Sequence, residues 1–110
     1  MSTLKIKGHI WIENGNGHVI GPGGKELLEA IRKTGSIKSA AKTMQMSYRH
    51  AWEMLSSMNK ISSKPLIEKS AGGFNGGGTC LTKEGERLIS IYENLTVEFT
   101  KFKKQLNEII

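Results

Sequence analysis

This sequence has a single cysteine and no long hydrophobic run, and each shortage excludes a class of protein. Cys80 stands alone, which excludes an intrachain disulfide and fits a reducing compartment. No apolar run approaches the roughly 20 residues that a membrane-spanning helix needs. Residues 1–7 also lack the apolar run of a signal peptide. We therefore expect a cytoplasmic location.

Acidic residues are outnumbered by basic ones. The sequence has 10 Asp and Glu residues and 16 Lys and Arg residues, so the net charge is +6. This balance favours an anionic partner, either a nucleic acid or an acidic membrane surface. A hydrophobic fraction of 37% and a charged fraction of 24% are typical of a folded globular protein, and 110 residues predict one domain.

Patterns for metal binding and catalysis are also missing. The isolated candidates for metal ligation share no ligand spacing: His9, His18, His50 and Cys80. No nucleophile, base and acid form a known arrangement. The glycine-rich stretch 73–78 does not match a P-loop. We therefore expect no catalytic residues, no metal and no cofactor, and hence a protein that is not an enzyme.

The first 21 residues predict a β-hairpin. Apolar residues alternate over residues 4–13, as in a half-buried strand. An Asn-Gly-Asn-Gly turn follows at 14–17, because its central residues tolerate positive φ. Residues 18–20 would return as the second strand, and the Gly-Pro-Gly-Gly stretch at 21–24 would break the sheet.

Three helices are predicted over residues 25–60. The first runs over 25–33 and stops at Gly35, and Ser36 caps the second. Ser47 caps the third, which ends near residues 59–60. The pair Ala40-Ala41 allows the second and third helices to cross closely, as in a helix-turn-helix.

The remaining residues predict a wing and a long helix. Residues 66–69 and 79–81 predict two short strands within a wing at 65–81, and five glycines fall within the nine residues 70–78 at its tip. Thr82 caps a helix over 82–110 that carries a heptad seam. The C-terminal half of this seam predicts pairing with a second copy of the chain. The dimerisation residues are Leu95, Phe99, Phe102, Leu106 and Ile109.

The third helix has a predictable outer face. At about 100° per residue, one side carries the apolar residues that define the core, while Arg49 and Glu53 lie roughly opposite. Tyr48 and Trp52 lie on the flank between the two sides. Arginine to guanine is the commonest specific contact in the major groove, so Arg49 is the first candidate for base readout. Glu53 either accepts from a cytosine amino group or orients Arg49.

Further candidates surround this face. Ser36, Lys38 and Lys42 lie at or near the start of the second helix, where phosphate contacts position a protein without reading sequence. Lys69 and the glycine backbone of the wing would follow a phosphate strand or the minor groove. The complete set of candidate DNA-contacting residues is Ser36, Lys38, Ser47, Tyr48, Arg49, His50, Trp52, Glu53 and Lys69.

Several of these segments together resemble one known family. The segments are Gly-Ser-Ile at 35–37, the alanine pair, Met-Ser-Tyr-Arg at 46–49, Ala-Trp at 51–52, Pro-Leu-Ile-Glu-Lys at 65–69, the wing glycines and Leu-Thr at 81–82. They resemble the DNA-binding domain of the ModE-type molybdate-responsive regulators and, more distantly, LysR-type winged helices. The resemblance covers about residues 25–92.

The resemblance implies a winged helix-turn-helix that binds DNA as a dimer through its long helix, with Ser47, Tyr48 and Arg49 at the groove. The full-length regulators continue into molybdate-binding domains, whereas this sequence stops at Ile110. We therefore expect no molybdate binding. The N-terminal hairpin resembles the stand-alone members of the family.

Together these features predict an α+β fold, mainly α with small β elements, and a homodimeric, sequence-specific regulator that binds double-stranded DNA and has no membrane partner. The third helix, over 47–59, would enter the major groove, and the wing would touch the flanking backbone. Two alternatives stay open. One is a nonspecific architectural DNA-binding protein, and the other is a protein–protein adaptor built on a winged helix.

Overall fold

The computed structural model describes residues 4–70 and 78–110. Two antiparallel hairpins, β1–β2 and β3–β4, flank a group of three helices, and a long helix follows. The elements are β1 (Ile12–Asn14), β2 (Gly17–Ile20), α1 (Pro22–Thr34), α2 (Ile37–Thr43), α3 (Tyr48–Ile61), β3 (Ile67–Ser70), β4 (Gly78–Leu81) and α4 (Lys83–Ile109). The predicted α+β winged helix-turn-helix is confirmed.

Helix α1 lies at the centre of the core. Its apolar stripe is fully buried, with Leu27, Leu28 and Ile31 each at 0% exposure. Each such side chain stabilises the fold by about 1.5–3 kcal/mol relative to an exposed one. The residues packed around this stripe come from every other layer: Ile20 of β2, Ala40 and Ala41 of α2, Leu55 and Met58 of α3, Leu66, and Leu88 and Ile89 of α4.

The start of α1 differs from the prediction. Residues 21–24 were expected to form a break before a helix at Lys25, but the helix begins at Pro22. Proline fits the first helical position because that position needs no backbone N–H donor. Gly24 then lies so close to α3 that a Cβ there would stand 2.8 Å from the Met58 sulfur. Gly24 therefore serves helix packing here.

The first hairpin is shorter than the alternating pattern predicts. The expected strand over residues 4–13 is wrong, because strand pairing covers only Ile12–Asn14, with an irregular register after Ile12. A strand needs a partner ladder, and β2 is only four residues long. The turn lies at residues 14–17 as predicted, but the positive φ of 131° falls on Gly17 and not on the two central residues. Asn14 accepts a hydrogen bond from the Asn16 N–H at 2.8 Å.

Residues 4–11, here called the N-terminal segment, run along α4 instead. The Ile6 N–H donates to the Asn107 side-chain oxygen at 2.6 Å, and the Lys103 ammonium donates to the Gly8 carbonyl at 3.1 Å. The buried Tyr92 hydroxyl donates to the Ile10 carbonyl at 2.7 Å. Polar side chains of α4 thus satisfy the backbone groups that a partner strand would otherwise pair.

The N-terminal segment also changes the expectation for the α4 seam. The C-terminal half of the seam was expected to have no partner within the chain, yet Phe99 is half-buried beside the segment. Leu95, Phe102 and Ile109 remain 43%, 51% and 78% exposed. Their spacing of seven residues keeps them on one stripe. Among the described helices, none is both long and apolar enough to cross a membrane.

Candidate nucleic-acid interface

Helices α2 and α3 cross closely because small residues meet at the crossing. Ala40, Ala41 and Ala51 are 0%, 2% and 0% exposed. A side chain with even one more methyl group would push the helices apart, since protein interiors are close-packed. The alanine pair is therefore buried, as the prediction of a close helix crossing requires.

Both helices begin at serine caps, as predicted. The Ser36 hydroxyl accepts from the Ser39 backbone N–H at 2.9 Å. The Ser47 hydroxyl accepts from the His50 N–H at 3.0 Å. Such a cap contributes about 1 kcal/mol to helix stability. It also leaves the other N–H groups at the start of α3 open to solvent, where the helix dipole favours a negative charge.

The turn between the helices contains a feature that sequence reasoning missed. Gln45 adopts a left-handed φ of 57°, although it is not glycine. The next residue, Met46, donates its N–H to the Ala41 carbonyl at 3.0 Å, which closes the end of α2. No local residue preference points to Gln45, because glycine or asparagine usually takes this conformation.

Arg49 and Glu53 project from the outer face of α3, as the 100° rotation per residue of an α-helix predicts. The Arg49 side chain is 88% exposed and the Glu53 side chain is 56% exposed. The Arg49 Nε lies 3.1 Å from a Glu53 carboxylate oxygen, one turn further along the helix. An exposed pair of this kind adds little stability. The pair instead fixes the position of the guanidinium along the helix surface. Only the Arg49 Nε contacts the Glu53 carboxylate, so the two terminal nitrogens of the guanidinium are free of this carboxylate.

Tyr48 and Trp52 lie on the flank of α3 that faces the wing. They are 54% and 52% exposed. They line a cleft of about 560 Å³ between α3 and the β3–β4 hairpin. Lys69 on β3 lines the same cleft and is exposed. Sequence reasoning placed the two aromatic residues on a flank, but it did not predict that the wing forms the opposite wall.

His50 lies on the other flank of α3. It is exposed and lines a mostly apolar cleft of about 410 Å³ together with Met54 and His18. The structure therefore places His50 apart from Tyr48 and Trp52, although all three belong to the first turns of one helix. Within the described ranges, no group of three His, Cys, Asp or Glu side chains is arranged to hold a metal ion.

The wing is held against the helices through Gly35, which ends α1. The Thr79 N–H of β4 donates to the Gly35 carbonyl at 2.9 Å. At Gly78, a Cβ would stand within 2.4 Å of the same oxygen. Glycine at position 78 therefore allows the close approach, a role that the sequence alone did not reveal. The predicted contacts of the wing tip, residues 71–77, lie outside the described residues.

Charge is distributed unevenly over the surface. On α1 and α4 most of the acidic residues pair with bases, as in Lys25–Glu29 at 3.0 Å and Arg32–Glu86 at 2.7 Å. Over residues 37–61 there are four Lys and Arg residues and one acidic residue, Glu53. Of these four, only Arg49 forms an ion pair within the described part of the chain. The helix-turn-helix therefore presents a net positive surface, with exposed Lys38 and Lys42 beside the half-buried Ser36.

Comparison with known proteins agrees with this geometry. The chain is 50% identical over 93 residues to the transcriptional regulator ModE of Haemophilus influenzae. The matched region covers 84% of this chain and 33% of that protein. It is 44% identical over 69 residues to the DNA-binding transcriptional dual regulator ModE of Escherichia coli, covering 63% and 26%. The predicted resemblance to the ModE-type regulators is confirmed. The chain spans about a quarter to a third of the length of these relatives.

The fold has a solved counterpart as well. A LysR family transcriptional regulator, VV2_1132, superposes with a TM-score of 0.54 over 74% of this chain and 26% of that chain, at 17% identity. This likeness concerns the fold alone. No family model matches the sequence.

Proposed function

We propose that this ModE-like chain is a sequence-specific, DNA-binding transcriptional regulator that acts as a homodimer. The observation that carries the proposal is the outer face of α3. It begins at the Ser47 cap and extends Arg49 into solvent with 88% of its side chain exposed. An α-helix fits the major groove of B-form DNA, and arginine donates to the two acceptors of guanine there.

In this proposal Glu53 is a positioning residue for Arg49. The 3.1 Å contact between them leaves the terminal guanidinium nitrogens to donate to a base. Ser47 ends the turn at the point where α3 enters the groove. His50, on the far flank, is suited to a phosphate on that side, since its ring is exposed.

The start of α2 is suited to the DNA backbone. Lys38 and Lys42 are exposed and have no carboxylate partner within the described residues, so each is free to neutralise a phosphate. Ser36 lies at the capped end of α2, and its hydroxyl hydrogen remains available while its oxygen accepts from Ser39. These contacts would orient the protein without reading sequence.

The wing supplies a second backbone contact. Lys69 is exposed on β3 and lies on the same side of the molecule as Tyr48, because both line one cleft. The hydrogen bond from Thr79 to Gly35 fixes the hairpin to the helices. A DNA strand that follows the groove past α3 would therefore meet the wing at the flank of the site.

Dimerisation is proposed through the stripe on α4. Leu95, Phe102 and Ile109 are exposed and seven residues apart, which is the spacing of a paired helix. Phe99 and Leu106 lie beside this stripe and are half-buried. Two copies joined here would read a roughly palindromic site with half-sites about 34 Å apart or a multiple of that distance.

A salt titration of DNA binding tests the proposal. The duplexes are the DNA upstream of the protein's own gene and a random duplex of equal length. We expect affinity at least about 10³-fold tighter for one site, with a steep fall as salt rises. Equal affinity for both duplexes would indicate an architectural protein. Absence of binding at low salt would indicate a protein–protein adaptor.

A further inference from the structure

The cleft between α3 and the wing is lined by polar as well as apolar residues, and the fold itself does not use the apolar part of this lining. Tyr48 and Trp52 are one helical turn apart, and about half of each side chain is exposed. Ile37 and Ile67 line the same cleft and are half-buried. The core side of α3 is filled by other residues, Ala51 and Leu55, which are 0% and 2% exposed.

The base edges in the major groove carry one apolar group that an apolar surface on a bound helix can contact. That group is the C5 methyl of thymine, since cytosine carries only a hydrogen at C5 and the other groups that distinguish the bases there are hydrogen-bond donors and acceptors. Aromatic rings on the flank of α3 offer a flat surface to such a methyl group. Polar or charged residues at positions 48 and 52 would not favour this contact.

We propose that Trp52, together with Tyr48, recognises thymine through its C5 methyl group. This inference rests on the proposed function, because it requires α3 to lie in the major groove. Lys69 on the opposite wall of the cleft is then suited to a phosphate of the strand that carries the thymine. The cleft thus reads a base on one side and holds the backbone on the other.

The position of the thymine relative to Arg49 follows from helix geometry. Arg49 and Trp52 are three residues apart, which is about 4.5 Å along the helix axis at about 1.5 Å per residue. Base pairs in B-form DNA are about 3.4 Å apart. The thymine is therefore expected within about two base pairs of the position at which Arg49 sets the preference.

Replacing thymine by 2′-deoxyuridine tests the inference, because it removes only the methyl group. The tightest-binding duplex is first selected from a random library. Each of its thymines is then replaced singly, and affinity is measured for the parent protein and Trp52→Ala. We expect one or two replacements per half-site to weaken the parent roughly fourfold each, the value for one buried methyl group. The same replacements should leave the affinity of Trp52→Ala unchanged.

Three variants serve as controls. Trp11→Ala removes the other tryptophan, which lies outside α3 and is 49% exposed, and it should keep the full deoxyuridine penalty. Tyr48→Phe keeps the ring and should keep most of the penalty. If Trp52→Ala loses helix content by circular dichroism, Trp52→Phe replaces it and should show a reduced penalty.

Two results would overturn the inference while leaving the proposed function intact. One is a sequence-specific, salt-dependent complex in which no deoxyuridine replacement matters. The other is a full deoxyuridine penalty in Trp52→Ala, which would mean that the tryptophan does not contact the methyl group. If no duplex is preferred over random DNA, the proposed function and the inference fail together.

Discussion

Replacing Gly78 by alanine tests how the wing is held against the helices. The new Cβ would lie 2.4 Å from the Gly35 carbonyl oxygen, closer than the 3.0 Å that real Cβ atoms respect. The same oxygen accepts the Thr79 N–H at 2.9 Å. Relieving the clash therefore moves β4 by about 0.6 Å or more, which brings this hydrogen bond to the limit of its range.

The expected cost follows from these contacts. Loss of the hydrogen bond costs about 0.5–1.5 kcal/mol, and forcing a methyl group into a filled space costs about 1–3 kcal/mol. Gly→Ala substitution at a tolerant site gains about 0.4–1 kcal/mol by restricting the unfolded chain. We therefore expect Gly78→Ala to lower the free energy of unfolding by about 0.5–4 kcal/mol. A loss of 1 kcal/mol lowers Tm by about 4–8 °C in a protein of this size.

Urea unfolding followed by circular dichroism measures this cost, at one protein concentration because self-association stabilises a folded chain. Gly15→Ala is the matched control. Gly15 lies in the other hairpin, is not left-handed and has no atom within 4 Å of the added Cβ. Equal unfolding free energies for the two variants would refute the reasoning. If the wing contacts DNA, Gly78→Ala should also weaken binding more than Gly15→Ala does.

Three further predictions concern the interface, the long helix and the response to acid. Arg49→Ala should cost about 1–3 kcal/mol of DNA affinity and relax the preference at one base pair. Lys38→Ala should instead weaken the affinity for all sequences alike and reduce the slope of affinity against salt concentration by about one. Salt titrations on the selected and random duplexes would show whether the two effects differ. Phe102→Glu should place a charge on the exposed α4 stripe and yield a monomer in sedimentation equilibrium, and an unchanged mass would argue against this dimer contact. The Arg87 hydrogen bond holds the pKa of Glu84 in the folded protein below its ordinary value of 4.5. The pair therefore stabilises the fold at a pH above the pKa of Glu84 in the unfolded chain. This stabilisation is lost as the pH falls through the pKa of Glu84 in the folded protein. The advantage of the parent over Glu84→Gln in urea unfolding should therefore shrink as the pH falls from neutral through the ordinary pKa of a glutamate and below it, and a constant difference would contradict this assignment.

Much of the candidate site could be predicted because it depends on local rules. A serine before a helix accepts a backbone N–H from its own first turn, so Ser36 and Ser47 identify the two helix starts directly. The angular period of the helix separates Ala51 from Arg49 without any tertiary information. Each of these features is decided by residues within one or two turns.

The errors arose where distant segments compete for the same backbone groups. The alternating pattern of residues 4–13 is compatible with a strand, yet most of it lies along α4, because Asn107 and Lys103 offer hydrogen-bond partners that β2 is too short to supply. Similarly, the glycines at 21–24 predict a break, but Gly24 lies within α1 in close contact with Met58.

The sequence by itself determined the capped helices, the close alanine crossing and the exposed arginine on α3, because periodicity and capping act over a few residues. Only the tertiary structure decided that the wing docks on Gly35 and that the cleft beside Trp52 has the wing as its second wall. It also decided which part of the α4 seam stays exposed. These features depend on close approaches between residues far apart in the chain, and no local pattern encodes such distances.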